Sequence, residues 1–140
     1  MKIGNLLRKL IPARFKPVDI SNFPRLVILE SNNIITKEQL SVCQKGLDDL
    51  RRHGHLELIK DTAEGYIKIL TKVGPKLTLD HLMVFPVLVS SFKGLYPEIK
   101  SLGGIENTFI NLVNDGFSAP VILNATIANH KSFAYLNSVQ

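Results

Sequence analysis

A chain of 140 residues with 45% hydrophobic and 21% charged side chains is long enough for one core and too apolar to be disordered throughout. Its single cysteine, Cys43, excludes an intramolecular disulfide, and residues 82–89, a short apolar run broken by Pro86, fall short of the roughly 18 residues of a membrane span. The net charge of +5 is unevenly placed: Lys2, Arg8, Lys9, Arg14 and Lys16 precede the first acid, Asp19, while residues 18–140 hold 12 basic and 12 acidic side chains. The excess belongs to an arm and not to a folded face, which weakens a nucleic-acid reading based on charge alone.

In that arm, residues 1–17, Ile3, Leu6, Leu7, Leu10 and Ile11 recur at helical spacing, with Lys2, Arg8 and Lys9 elsewhere around the helix, and Pro12 stops the pattern. Such a helix lays Ile3, Leu6, Leu7 and Leu10 into a membrane or a partner while the five cations meet anionic groups. Its lack of serine argues against an organelle-targeting peptide. The bland alternative is that the leucines pack on the domain and the cations are solvated.

Residues 18–140 read as one globular domain. Pro17 and Pro24 bracket an extended connector, and residues 26–29 make either a strand or a short helix. Residues 36–70 then predict an amphipathic helix running into a β-hairpin. Thr36 is the N-cap, with Gln39 at the capping-box position, and Leu40, Cys43, Leu47 and Leu50 share one face. Gly54 ends the helix. Residues 55–60 and 66–71 alternate loosely about Asp61-Thr62-Ala63-Glu64-Gly65, which has turn chemistry.

Gly74-Pro75 breaks the chain, and Thr78 or Asp80 caps a helix that is apolar on nearly every side and is the candidate central element, kinked at Pro86. Ile105, Phe109, Leu112 and Val113 mark a further helix stopped at Asp115-Gly116. Residues 118–139 read as a helix, opened by Ser118 with Pro120 and with Val121, Ala125, Ala128, Ser132, Tyr135 and Val139 at helical intervals, or else as a hairpin turning at Asn129-His130. The fold expected is α+β, mainly helical, with a small antiparallel hairpin or sheet packed on helices and a basic amphipathic N-terminal arm.

The order helix, strand, turn, strand permits a winged helix in which Arg51, Arg52, Lys60 and Lys68 contact nucleic acid, although Glu38, Asp48 and Asp49 crowd the supposed reading face. Metal binding has only His53 and His55, with Cys43, Asp61, His81 or His130 as additions, and no CxxC or HExxH spacing. Cys43 on an apolar helix face reads as a small hydrophobe rather than a nucleophile, and neither a phosphate loop nor a GxSxG elbow is present. No catalytic residue, metal or cofactor is assigned.

The resulting expectation is a non-enzymatic binding or assembly protein, structural, matrix-like or adaptor in kind. Its arm would engage an anionic membrane surface or an acidic protein, and its neutral body would self-associate as a homo-oligomer. A cytoplasmic location, peripheral to a membrane, fits the lone buried thiol. The alternative is the winged-helix nucleic-acid binder.

Overall fold

The computed structural model describes residues 16–99 and 101–131, and among these the chain is all helix. Six α-helices follow one another: α1 Pro24–Ser31, α2 Lys37–Arg52, α3 Ile59–Val73, α4 Leu79–Leu95, α5 Gly103–Asn114 and α6 Ala119–Ala128. The expected arm lies outside the described residues except for Lys16 and Pro17, both exposed.

Local chemistry sets the helix ends. Pro24 opens α1 rather than bracketing a connector, its ring fixing φ at a helical value where the missing N–H is no loss. The capping box of α2 is formed as the sequence predicts. Thr36 Oγ1 accepts from the Gln39 N–H at 3.0 Å, and Gln39 Oε1 accepts from the Thr36 N–H at 2.9 Å. Thr78 caps α4 in the same manner with a histidine as the reciprocal partner: His81 Nδ1 accepts from the Thr78 N–H at 3.1 Å. That leaves the ring proton on Nε2, which donates to the Phe117 carbonyl at 2.9 Å and ties the start of α4 to the turn before α6.

The expected hairpin is absent, and the fold class is corrected to all-helical over the described residues. A short 3-10 turn, Leu56–Leu58, leads directly into α3. The side chains that alternate loosely as strands also fall at helical spacing, and α3 buries Thr62, Ala63, Tyr66, Ile67, Ile69, Leu70 and Val73 on one broad face. Asp61 favours the first turn of a helix as much as it favours a β-turn. Gly65 is helical, and its role is close approach: a Cβ there would stand 2.7 Å from the Phe85 ring. Residues 26–29 lie within α1, and residues 119–128 are helical, so the hairpin at Asn129-His130 is also absent. In α6 Ala119, Ile122 and Thr126 are buried while Val121 is exposed, and Ser132, Tyr135 and Val139 lie outside the described residues.

Helix α2 packs most extensively on α4, α3 packs on α2 and α5, and α6 packs on α4. Tyr66, Phe85, Phe92 and Phe109 are buried at the centre, with ring centroids 5.5 Å apart for Tyr66 and Phe85 and 5.4 Å apart for Phe85 and Phe109. Pro86 lies inside α4 and has no N–H for the Leu82 carbonyl one turn back. The Tyr66 hydroxyl from α3 supplies that missing bond, donating to Leu82 O at 2.9 Å. Space for the hydroxyl comes from Gly46 on α2, where a Cβ would collide with it and come within 2.8 Å of the Pro86 ring.

Among the described residues one buried side chain breaks the pattern of satisfied polar atoms. Thr62 is fully buried and its Oγ1 has no hydrogen-bond partner. A buried hydroxyl without a bond costs on the order of 1–3 kcal/mol. Thr62→Val, nearly isosteric, should therefore stabilise the protein by about 1 kcal/mol, read as a rise in the urea midpoint at unchanged slope; a lower midpoint would mean that the hydroxyl is bonded.

Candidate functional site: the groove between α2 and α4

The close approach of α2 and α4 that Gly46 allows does not extend to their outer edges, and a groove of about 310 Å³ opens there. Leu50, Pro86, Met83 and Val87 give it an apolar floor and wall. Around the helix axis of α4, positions 82, 85, 88, 89 and 92 face the core, which turns Leu79, Met83 and Val87, four residues apart, outward. They are 40%, 46% and 46% exposed, respectively.

The α2 edge of the groove is polar. Asp49, His53 and His55 line it, and Arg52 stands beside Asp49 with its Nη1 3.7 Å from the carboxylate, both side chains about half exposed. An exposed pair of that length contributes little to stability. His53 at the C-cap of α2 donates from Nδ1 to the Asp49 carbonyl at 2.7 Å, which turns Nε2 away from that carbonyl.

Beneath the groove the two weak acids of the core are held neutral. Burial pushes the Cys43 thiol up to about 12, so at neutral pH it stays protonated, and it has no exposed surface. The Tyr66 phenol is raised well above its usual range, first by burial and then by its titratable neighbours Cys43 and Asp49. Neither group lines the groove, and both are out of reach of a ligand in it. The surface can take up an apolar side chain and orient it by the charges on one edge.

The residues singled out from the sequence are dispersed. Arg51 and Arg52 end α2, while Lys60 is exposed near the start of α3. Lys68 Nζ lies 3.4 Å from a Glu106 oxygen across the groove between α3 and α5. With α3 in place of a hairpin there is no wing to set Lys60 and Lys68 beside α2, and the winged-helix arrangement is withdrawn. No three of the histidine, cysteine and acidic side chains gather as metal ligands among the described residues. His53 and His55 share the groove edge, whereas His81 is buried and His130 meets the Tyr96 hydroxyl at 2.7 Å. Lys2, Arg8, Lys9, Arg14, Ile3, Leu6, Leu7 and Leu10 lie outside the described residues.

The reading of the sequence missed the outward strip of Leu79, Met83 and Val87, having taken their helix, apolar on nearly every side, as the central element. A usable signal is present: Ser90, Ser91 and Gly94 continue the same outward strip, and small or polar residues on one side of an apolar helix mark the side that is not core. No helix among the described residues is long and apolar enough to cross a membrane. No protein-family model, curated protein or solved structure matches the chain, so the groove and the distribution of charge carry the functional reading.

Proposed function

We propose that this is a non-enzymatic binding and assembly protein, structural, matrix-like or adaptor in kind, whose basic N-terminal segment engages an anionic surface, membrane headgroups or an acidic partner, while its helical body associates with its like. The observation that carries the reading is the apolar strip Leu79, Met83 and Val87 left outward on α4 over a groove. Contiguous exposed apolar surface rimmed by polar groups marks an interaction face, since covering what remains exposed of each such side chain gains on the order of 1 kcal/mol. The five cations before Asp19 supply the second contact.

Co-sedimentation of the full chain with vesicles of mixed phosphatidylserine and phosphatidylcholine tests the first half of the proposal. Binding should appear with the anionic lipid and weaken with salt, each cation near the surface contributing on the order of 1 kcal/mol. Arg8→Glu with Lys9→Glu should weaken it at least about tenfold. Equal binding by the double variant, or none by the wild type to vesicles and to an acidic polypeptide alike, removes the reading of the arm.

A further inference from the structure

Resting on the reading above, we infer that the α2–α4 groove is the seat of the chain's own segment 3–11, and that an anionic surface draws this segment out and bares the groove for contact between bodies. The course of the chain leads the segment there. Ile20 shares a pocket with Leu40 and Ser41 in the first half of α2. Val18 is pinned further along the helix, its N–H donating to Asp48 Oδ1 at 2.6 Å and its carbonyl accepting from Gln44 Nε2 at 2.8 Å. Followed back toward residue 1, the chain therefore runs toward the C-terminal end of α2, where Leu50, His53 and His55 line the groove. Residues 12–17 span up to roughly 20 Å when extended, enough to pass over a helix about 10 Å across.

Entry at that end sets a direction. Helices α2 and α4 run side by side in the same sense: Gln39 Nε2 reaches the Leu77 carbonyl at one end, a Cβ on Gly46 would meet Pro86 in the middle, and His53 shares the groove with Ser90 at the other. A segment entering by Ser90 has residue 11 there and residue 3 near Leu79, a run of about 13 Å at the helical rise. In a right-handed helix laid this way with Ile3, Leu7 and Leu10 downward, Arg8 falls on the α2 side and Lys2 over the far edge of α4.

An acid stands at each of those two places. Asp49 lines the α2 edge at the level of Arg8, with Arg52 on its solvent side, and no lysine or arginine lines the groove. Exposed Asp80, one turn before Met83 on the outer side of α4, is level with Lys2. Other occupants lack these partners. Residues 132–140 carry no charge, and the outward α4 strip of a second copy offers no cation. The space also fits: a cavity of roughly 150 Å³ takes a benzene-sized guest, and about 310 Å³ takes the side chains of Leu7 and Leu10. Since Ile3, Leu6, Leu7 and Leu10 cannot lie in the groove and in a membrane at once, the two contacts exclude each other.

Cross-linking of the full chain carrying Ile3→Cys with Leu79→Cys tests the seat. A short bis-maleimide should join the two thiols within one chain, at a rate independent of protein concentration, while buried Cys43 takes no part. Ile3→Cys with Ile28→Cys is the control. Ile28 is as exposed as Leu79 and fewer residues from Val18, yet this pair should link at least about tenfold more slowly. Phosphatidylserine vesicles should suppress the first link. Met83→Ser with Val87→Ser changes no charge and leaves the segment whole, but should raise affinity for these vesicles about tenfold, because the closed form no longer competes. Helical circular dichroism should be unchanged, both sites being on the surface.

Linkage between chains in place of linkage within one overturns the seat in favour of a second copy. Equal rates for the two cysteine pairs, or vesicle affinity unchanged by Met83→Ser with Val87→Ser, overturn it and leave the surface reading of the arm standing. A wild type that binds neither vesicles nor an acidic polypeptide, with the Ile3→Cys, Leu79→Cys pair still linked within one chain, supports the seat and removes that surface reading.

Discussion

Gly46→Ala should destabilise the protein by about 3 kcal/mol, lowering the melting temperature by roughly 10 °C for a domain of this size. In an ordinary helix the same change gains nearly 1 kcal/mol, because alanine is the better helix former. Here the added methyl meets the Tyr66 hydroxyl and the Pro86 ring, and neither is free to move. Tyr66 is held by its bond to the Leu82 carbonyl, and Pro86 is part of a helix backbone. Displacing the hydroxyl leaves a buried carbonyl unbonded, itself a loss of about 1–3 kcal/mol. The collision therefore outweighs the propensity gain.

A double-mutant cycle separates this account from a general intolerance of bulk. Tyr66→Phe alone should cost about 1–2 kcal/mol through the lost hydrogen bond. It also removes the atom that the methyl strikes, so Gly46→Ala should cost clearly less in that background than in the wild type. Strict additivity in denaturant titrations would show that the hydroxyl is not what Gly46 accommodates.

Stability should also fall steeply above about pH 9. A thiol ordinarily ionises near 9.0, and burial pushes Cys43 up to about 12. Between those values the unfolded chain releases its proton while the folded chain keeps it, so folding stability declines by about 1.4 kcal/mol per pH unit, on the order of 4 kcal/mol across the window. Above pH 10 Tyr66, also raised by burial, adds a second decline in the same direction and the slope about doubles. Below pH 9 both groups are protonated in both states and contribute no pH dependence. Urea midpoints from pH 8 to 11.5 should show this break, and Cys43→Ala should move its onset from about 9 to about 10. Identical slopes for the two proteins between pH 9 and 10 would sink the assignment.

What was legible in the sequence is the chemistry that acts over a few residues. The Thr36–Gln39 capping box, the Thr78 cap, the stop at Gly54 and the helix of Ile105, Phe109 and Val113 follow from local hydrogen bonding and spacing, and they stand in the structure. The errors arose where a residue's reason lies across the fold. Gly65 was given to a turn, yet its requirement is the Phe85 ring from α4. Tyr66 looks like an ordinary strand aromatic until Pro86 leaves the Leu82 carbonyl, 16 residues along the chain, in need of a donor. The groove was illegible for the same reason. A helix apolar on all sides does not announce which side its neighbours leave open, and the strip of Leu79, Met83 and Val87 is defined only once α2 and α6 have taken their places.

The proline in α4 has one more consequence. A proline kink usually makes a swivel, because the freed carbonyl and the missing hydrogen bond let the two halves of the helix bend against each other. In this protein the Leu82 carbonyl is captured by a side chain from α3 that is itself wedged against α2. The helix is thereby held at Pro86, and Met83 and Val87, one on each side of it, keep a set separation and direction. The proposed docking face is pre-organised: a partner settling on it would have little disorder to remove from this side of the contact, and more of the apolar area it covers would be retained as affinity.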